Sequence, residues 1–310
     1  MTWGKKVAMA LGVLALWLTG TGGEAQGQAP AVLFSRGDAL WQTDLRGSPP
    51  VRLGPGHDGE LSPGGDRVAF TEYDEGGGRY LAVRDIARRN VWRVPGAVGA
   101  NSYGPRWSPD GTTLLFNVWQ EDVALWRIAT VSPDGTQRRI FSGDLSGDLF
   151  SPFWGHDGRE IFAQDLTFLY RFDREGRLLD KRPVDEVVGD RGISSGTRFS
   201  VAPDGASWLF DAGATASQDQ ALAMRVGDAV NAAFVYTVAT GAVRRLTPPG
   251  LAVSSACWAP GGGVLVSAFE RKDVRSASGG VRISFRLMLL SGDRRDVLVK
   301  DALAPSCAMR

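Results

Sequence analysis

The sequence predicts an all-β protein, a six-bladed β-propeller of four-stranded antiparallel blades, and three observations lead there. A five-residue motif, apolar, small, Pro or an equivalent, Asp or Gly, then Gly, occurs five times: Leu61–Gly65, Trp107–Gly111, Trp154–Gly158, Val201–Gly205 and Trp258–Gly262. Its copies are spaced 46, 47, 47 and 57 residues apart, the period of a blade. The chain of 310 residues also carries 40 glycines and 16 prolines, a turn-rich composition that favours short strands over helical bundles.

The elements follow in chain order. Residues 1–25 read as a secretory signal, with Lys5 and Lys6, an apolar run from Val7 to Leu18, and small residues around Gly22, Gly23 and Ala25. The apolar run is too short to cross a bilayer, which needs about 20 residues of helix. Val32–Phe34, Leu40–Asp44 and Val51–Leu53 then match the second, third and fourth strands of a blade that lacks its first. Each motif copy is followed by a second strand: Arg67–Phe70, Thr113–Phe116, Glu160–Phe162, Trp208–Phe210 and Val264–Val266. Third strands fall at Tyr80–Asp85, Ala124–Ala129, Leu169–Phe172, Ala233–Val238 and Phe285–Leu290. Fourth strands fall at Val91–Val94, Arg138–Phe141, Leu178–Lys181, Val243–Leu246 and Asp296–Val299. Leu303–Met309 remains to complete the first blade, so residues 31–310 form one domain whose ring is closed by both ends of the chain.

The motif itself is turn chemistry. Proline presets φ near −65°, aspartate bonds back to its own backbone, and glycine accepts a positive φ. Asp110, Asp157 and Asp204 are therefore structural, and the tryptophans that open three copies suit the wedge between neighbouring blades.

Charge and composition exclude several function classes. The 35 basic and 34 acidic residues leave no long-range field to hold nucleic acid or an anionic membrane. Removing residues 1–25 leaves 33 of each, a formally neutral mature protein. With two histidines and two cysteines, most metal sites and many acid–base mechanisms lack their usual side chains, and no cofactor is expected.

Several catalytic patterns match without their context. Gly192-Ile-Ser194-Ser-Gly196 fits the nucleophile elbow, but a strand rather than a helix follows it and no histidine lies downstream. Gly54-Pro-Gly56-His-Asp-Gly59 fits a dinucleotide fingerprint, but a hairpin follows where a helix is required. His57 and His156 belong to different repeats and to opposite faces. Cys257 and Cys307 lie on innermost strands of neighbouring blades; a bridge between them would lock the ring in an oxidising compartment, and two buried free thiols are the alternative.

The Trp107-Ser-Pro-Asp-Gly111 unit, followed by Leu114-Leu-Phe116 and later Ile128, resembles the repeat of the TolB-like propellers, as does Arg244-Arg-Leu-Thr247 at the end of a blade. The resemblance spans about residues 31–310. It implies the propeller fold, and the same repeat serves exported binding proteins and the propeller domains of some peptidases, while the export signal of residues 1–25 predicts a periplasmic or secreted location. No room remains between the export signal and the first partial blade for the α/β domain that precedes the propeller in TolB.

Strand direction places the second-to-third and fourth-to-first loops on one face, opposite the Pro-Asp-Gly hairpins. The two long insertions, 211–232 and 269–282, fall on that face, where binding is usually built. The expectation is a non-catalytic binding or scaffolding propeller of the cell envelope. Its partner is a peptide, a protein segment or a glycan, contacted by His57, Tyr103, Asp148, Ser195 and Ser254. The enzymatic alternative is a hydrolase or lactonase with a metal held in the axial channel by acidic residues such as Asp148 and Asp190. A structural subunit of an envelope assembly is the third reading.

Overall fold

The computed structural model describes residues 31–97, 101–141 and 145–308, and the expected export signal lies outside them. Blade 1 opens with β1 (Ala31–Arg36), β2 (Ala39–Asp44) and β3 (Val51–Pro55). Blade 2 is β4 (His57–Leu61), β5 (Arg67–Tyr73), β6 (Arg79–Asp85) and β7 (Val91–Arg93). Blade 3 is β8 (Ser102–Trp107), β9 (Leu114–Gln120), β10 (Leu125–Val131) and β11 (Arg139–Phe141). Blade 4 is β12 (Phe150–Trp154), β13 (Glu160–Gln164), β14 (Phe168–Asp173) and β15 (Leu178–Pro183), followed by the short α1 (Asp185–Val188). Blade 5 is β16 (Phe199–Val201), β17 (Ser207–Gly213), an inserted helix α2 (Ser217–Val226), β18 (Asn231–Thr237) and β19 (Ala242–Arg245). Blade 6 begins with β20 (Ala252–Trp258) and β21 (Val264–Phe269). A two-stranded ribbon, β22 (Val274–Ala277) and β23 (Gly280–Ile283), then precedes β24 (Arg286–Ser291) and β25 (Arg294–Lys300). The last strand, β26 (Leu303–Cys307), pairs with β1, so the sheet order is β26-β1-β2-β3 and the two ends of the chain close the ring. All pairings between neighbouring strands are antiparallel, and the sheets of blades 5 and 6 are joined by a single ladder pair, Asn231 with Val253.

The core lies between blades. Each of the six seams holds its own apolar cluster among the described residues, from Leu33, Leu61 and Phe70 between blades 1 and 2 to Val32, Phe34 and Leu265 between blades 6 and 1. Strand alternation produces this: on β13, Ile161 and Ala163 pack toward blade 3 while Phe162 packs toward blade 5. Because both faces of a blade are covered, its strands read as unbroken apolar runs such as Leu114-Leu-Phe116.

The hairpins do more than turn. Asp110, Asp157 and Asp204 cap the backbone N–H groups of Thr112, Arg159 and Ala206, as turn chemistry requires. In addition, Gly111, Gly158 and Gly205 each face the third motif residue of the preceding copy. A Cβ on Gly158 would lie 3.2 Å from Cδ of Pro109, and one on Gly205 only 2.7 Å from the ring of His156. Glycine is thus needed both for its φ of +70° at Gly158 and for the close approach of the next hairpin.

One expectation is corrected. The insertion at 211–232 contains α2, ended by Gly227 at φ 78°, and the one at 269–282 contains the β22–β23 ribbon, where loops were expected. Both pack through Leu222, Val230, Phe269 and Val274 into a small cluster of their own, which gives them the apolar burial a loop lacks. Both cysteines are free thiols, one of the two states the sequence left open. Cys307 pairs with Val32 as Trp258 pairs with Val264, so Cys257 stands one residue earlier than its supposed counterpart. Cys307 is buried in the seam packed by Val32, and Cys257, at the register level of Glu60 and Arg106, packs against the edge of the same cluster.

Candidate functional site

The six innermost strands surround the axis, and their shared register stacks side chains in rings. Counting back from the residue that opens each motif copy, Glu60, Arg106, Phe153, Ser200, Cys257 and Ser306 occupy one level. Asp58, Gly104, Ser151, Arg198, Ser255 and Ala304 occupy the level above, toward the long-loop face. At this upper level four inner strands carry a bulge beside a residue in the left-handed region: Asp58 (φ 50°), Gly104 (φ 65°), Ser151 (φ 50°) and Ala304 (φ 48°). Such bulges re-aim side chains, and three of these four residues line a cavity at the long-loop mouth of the channel.

That cavity, of about 260 Å³, is also lined by Arg79, Tyr103, Arg106, Ser195 and Arg198. Asp58 in blade 2 and Arg198 in blade 5 stand on opposite sides of a six-membered ring, and Asp58 Oδ1 meets Arg198 Nη2 at 3.3 Å, so the pair crosses the axis. Thr71 Oγ1 donates to the other carboxylate oxygen of Asp58 at 3.4 Å and accepts from the Gly104 backbone N–H at 3.1 Å. One level lower, Arg106 Nη1 pairs with Glu60 Oε2 at 2.5 Å, while Glu60 Oε1 accepts from the Trp107 backbone N–H. Burial and the neighbouring Arg106 guanidinium push the pKa of Arg198 down, a sign of cations crowded on the axis. Behind Arg198 lies Asp211, whose carboxylate accepts from the Arg198 backbone N–H at 3.0 Å and from Asn231 Nδ2 at 3.1 Å. Burial pushes Asp211 up to about 6 despite those bonds.

Arg79 completes the mouth. Its Nε donates to Asn101 Oδ1 at 2.6 Å, and its guanidinium lies 4.1 Å from the Tyr103 ring centroid and 5.2 Å from that of Trp126. Tyr103 meets Trp126 edge-on at 5.2 Å, and Trp126 meets Trp119 at 5.3 Å, forming an aromatic platform under the cation.

Of the five residues singled out from sequence, Tyr103 and Ser195 line this cavity. Asp148 is close by, but its carboxylate accepts from the Trp126 backbone N–H at 2.8 Å and so serves the platform. His57 opens β4 and packs edge-on against Tyr73, while Ser254 is exposed on β20; neither lines the cavity. The residues the sequence reading missed are Asp58, Arg79, Arg106 and Arg198. A signal for Arg106 existed: Gly104-Pro-Arg-Trp107, Ser151-Pro-Phe-Trp154 and Ala304-Pro-Ser-Cys307 repeat a bulge residue followed by proline, with the axial residue just before the motif.

A second cavity, of about 310 Å³, opens at the hairpin face and is lined by Trp107, Phe153, Trp154, His156, Pro203 and Cys307 among others. Arg106 and Phe199 line both cavities and partition the channel. Gly192–Gly196 lies in the loop before β16, with Ser194 N–H donating to Thr197 Oγ1, and forms no strand-to-helix elbow. Among the described residues no three His, Cys, Asp or Glu side chains come together in a metal-binding group. No helix among them is long and apolar enough to cross a membrane.

Comparison with solved structures agrees with the ring. The structure of TolB from Acinetobacter baumannii matches with a TM-score of 0.61 at 15% identity, covering 91% of this chain and 67% of that one. A putative TolB from Agrobacterium tumefaciens matches at 0.57 and 15% identity, over 88% of this chain and 89% of its own. The fold is that of a TolB-like β-propeller. A chain of a nidogen–laminin complex matches at 0.62 and 10% identity, over 91% of this chain and 99% of that one. No protein-family model and no curated protein matches the sequence.

Proposed function

We propose that this TolB-like propeller is an exported, non-catalytic binding protein of the cell envelope that receives a peptide or protein segment at the long-loop mouth of its axial channel. The observation that carries the reading is the Arg79 guanidinium stacked on the Tyr103–Trp126 pair beside a polar cavity. A rigid aromatic and arginine surface on a fixed scaffold is the composition of a binding hot spot. Likeness to TolB structures and to a chain of a nidogen–laminin complex supports a propeller that binds protein. The axial carboxylates Asp58 and Glu60 are both engaged by guanidinium groups, which favours recognition over metal-assisted hydrolysis.

The test is site-specific photocrosslinking in the native envelope. A photoreactive residue at Ser195 should capture a defined partner, and the same residue at Arg159 beside the hairpin face should not. Capture from Arg159 alone, or equal background from both, would reject the long-loop mouth as the binding face.

A further inference from the structure

The mouth of the channel brings together more positive than negative groups. Arg79, Arg106 and Arg198 all line the cavity, and Asp58 is the one carboxylate residue lining it. Glu60, one level lower, covers Arg106. Asp58 reaches Arg198 through a single contact of 3.3 Å, with the two side chains 34% and 22% exposed. A fully engaged arginine meets a carboxylate through two parallel bonds at 2.7–2.9 Å. Among the described residues Arg79 has one hydrogen bond, from Nε to Asn101, beside its ring contacts, and no ion pair. The ring pair beneath it fixes the guanidinium plane without neutralising it. Asp148 is occupied by the Trp126 N–H, and Asp211 lies behind the Arg198 backbone. The lowered pKa of Arg198 fits the same picture, since burial and Arg106 both act against its charge.

We infer that this mouth is a carboxylate-binding site, in which Arg79 on its aromatic platform and Arg198 on the axis receive an acidic side chain or the C-terminal carboxylate of the bound segment. The inference deepens the function proposed above and rests on it for the identity of the ligand as a peptide. Asp58 acts as the internal competitor: it occupies Arg198 in the empty site and yields to a carboxylate that contacts both guanidiniums. A cavity of about 260 Å³ admits a short acidic side chain and excludes a folded domain.

The probe is succinate, followed by calorimetry and by the fluorescence of the Trp119–Trp126 pair, with succinamide and sodium chloride of equal ionic strength as references. Succinate should bind saturably and succinamide should not. Arg79→Gln should weaken succinate about ten-fold or more, the loss expected for a charge-assisted bond. Asp58→Asn, by freeing Arg198, should tighten it several-fold, a gain that misfolding cannot produce. Two short peptides, one with a free C-terminus and one amidated with an internal glutamate, identify which source of carboxylate the site prefers. A response to succinate no larger than to the chloride control, or equal binding of succinamide, overturns the inference, as does unchanged affinity in both variants. Mouth-specific crosslinking from Ser195 in the absence of succinate binding would sink the carboxylate site while leaving the binding face intact. Succinate binding without any crosslinked partner would do the reverse.

Discussion

The indole Nε1 of Trp154 donates a hydrogen bond of 3.2 Å to the backbone carbonyl of Arg106 in the preceding blade. Trp107 makes the same bond to Glu60 at 3.1 Å, and Trp258 makes it to Ser200 at 3.0 Å. In each case the acceptor is an inner-strand carbonyl, and a ring that fills the seam while donating satisfies such a group at its apolar edge. Trp154→Phe keeps the ring and should cost about 1 kcal/mol in urea unfolding. Trp154→Ala also empties the seam and should cost about 3–5 kcal/mol. Equal losses in the two variants would show that the bond contributes nothing.

Asp211 makes stability depend on pH. Its folded-state pKa of about 6 lies above the ordinary 3.8, so between those values the folded chain holds a proton that the unfolded chain has released. The contribution is therefore full below about pH 4 and is lost as pH rises through 6, about 3 kcal/mol in all at 1.36 kcal/mol per unit. Asp211→Asn should remove this falling slope. Urea midpoints of both proteins from pH 4 to 7 measure it, and parallel curves would contradict it.

Asp219 anchors the inserted helix. It is fully buried, holds Arg245 through two bonds of 2.5 and 2.9 Å, and accepts from the Gly250 backbone N–H. Asp219→Ala leaves a guanidinium without its partner and should cost about 3–5 kcal/mol, spent on α2 and the 247–250 turn. Hydrogen exchange should rise there first, while the inner strands of blades 2 to 4 keep their protection.

The cysteines should be inert. Burial pushes the Cys307 thiol up to about 12 and raises that of Cys257 too, so neither supplies thiolate near neutral pH. A thiol reagent at pH 8 should modify neither group in the folded protein and both after denaturation, and mild oxidants should leave the melting temperature unchanged. A rise in melting temperature on oxidation would mean that a bridge forms.

Most of the fold was legible because a propeller repeats its turn chemistry. Pro109, Asp110 and Gly111 announce a hairpin locally, and four further copies fix the period, the blade count and the closure by β26. The helix α2 was missed although Ser217–Val226 ends on Gly227, because its burial comes from contacts with Phe269 and Val274 fifty residues away. The candidate site was half legible. Tyr103 and Ser195 lie in loops and strand ends that the repeat locates, whereas Arg79 comes from the start of a third strand and reaches the mouth only through the stacking of its side chain on Tyr103.

The sequence alone determined that the chain forms six blades, that its ends meet in one of them, and that its hairpins all point the same way, since each follows from local φ preferences and a fixed repeat length. Tertiary structure decided which residues meet. Asp58 and Arg198 are 140 positions apart, and only the closing of a six-membered ring sets them face to face across the axis. The one-residue register offset that sets Cys257 and Cys307 at different levels is likewise a property of strand pairing, which the spacing of the residues along the chain does not contain.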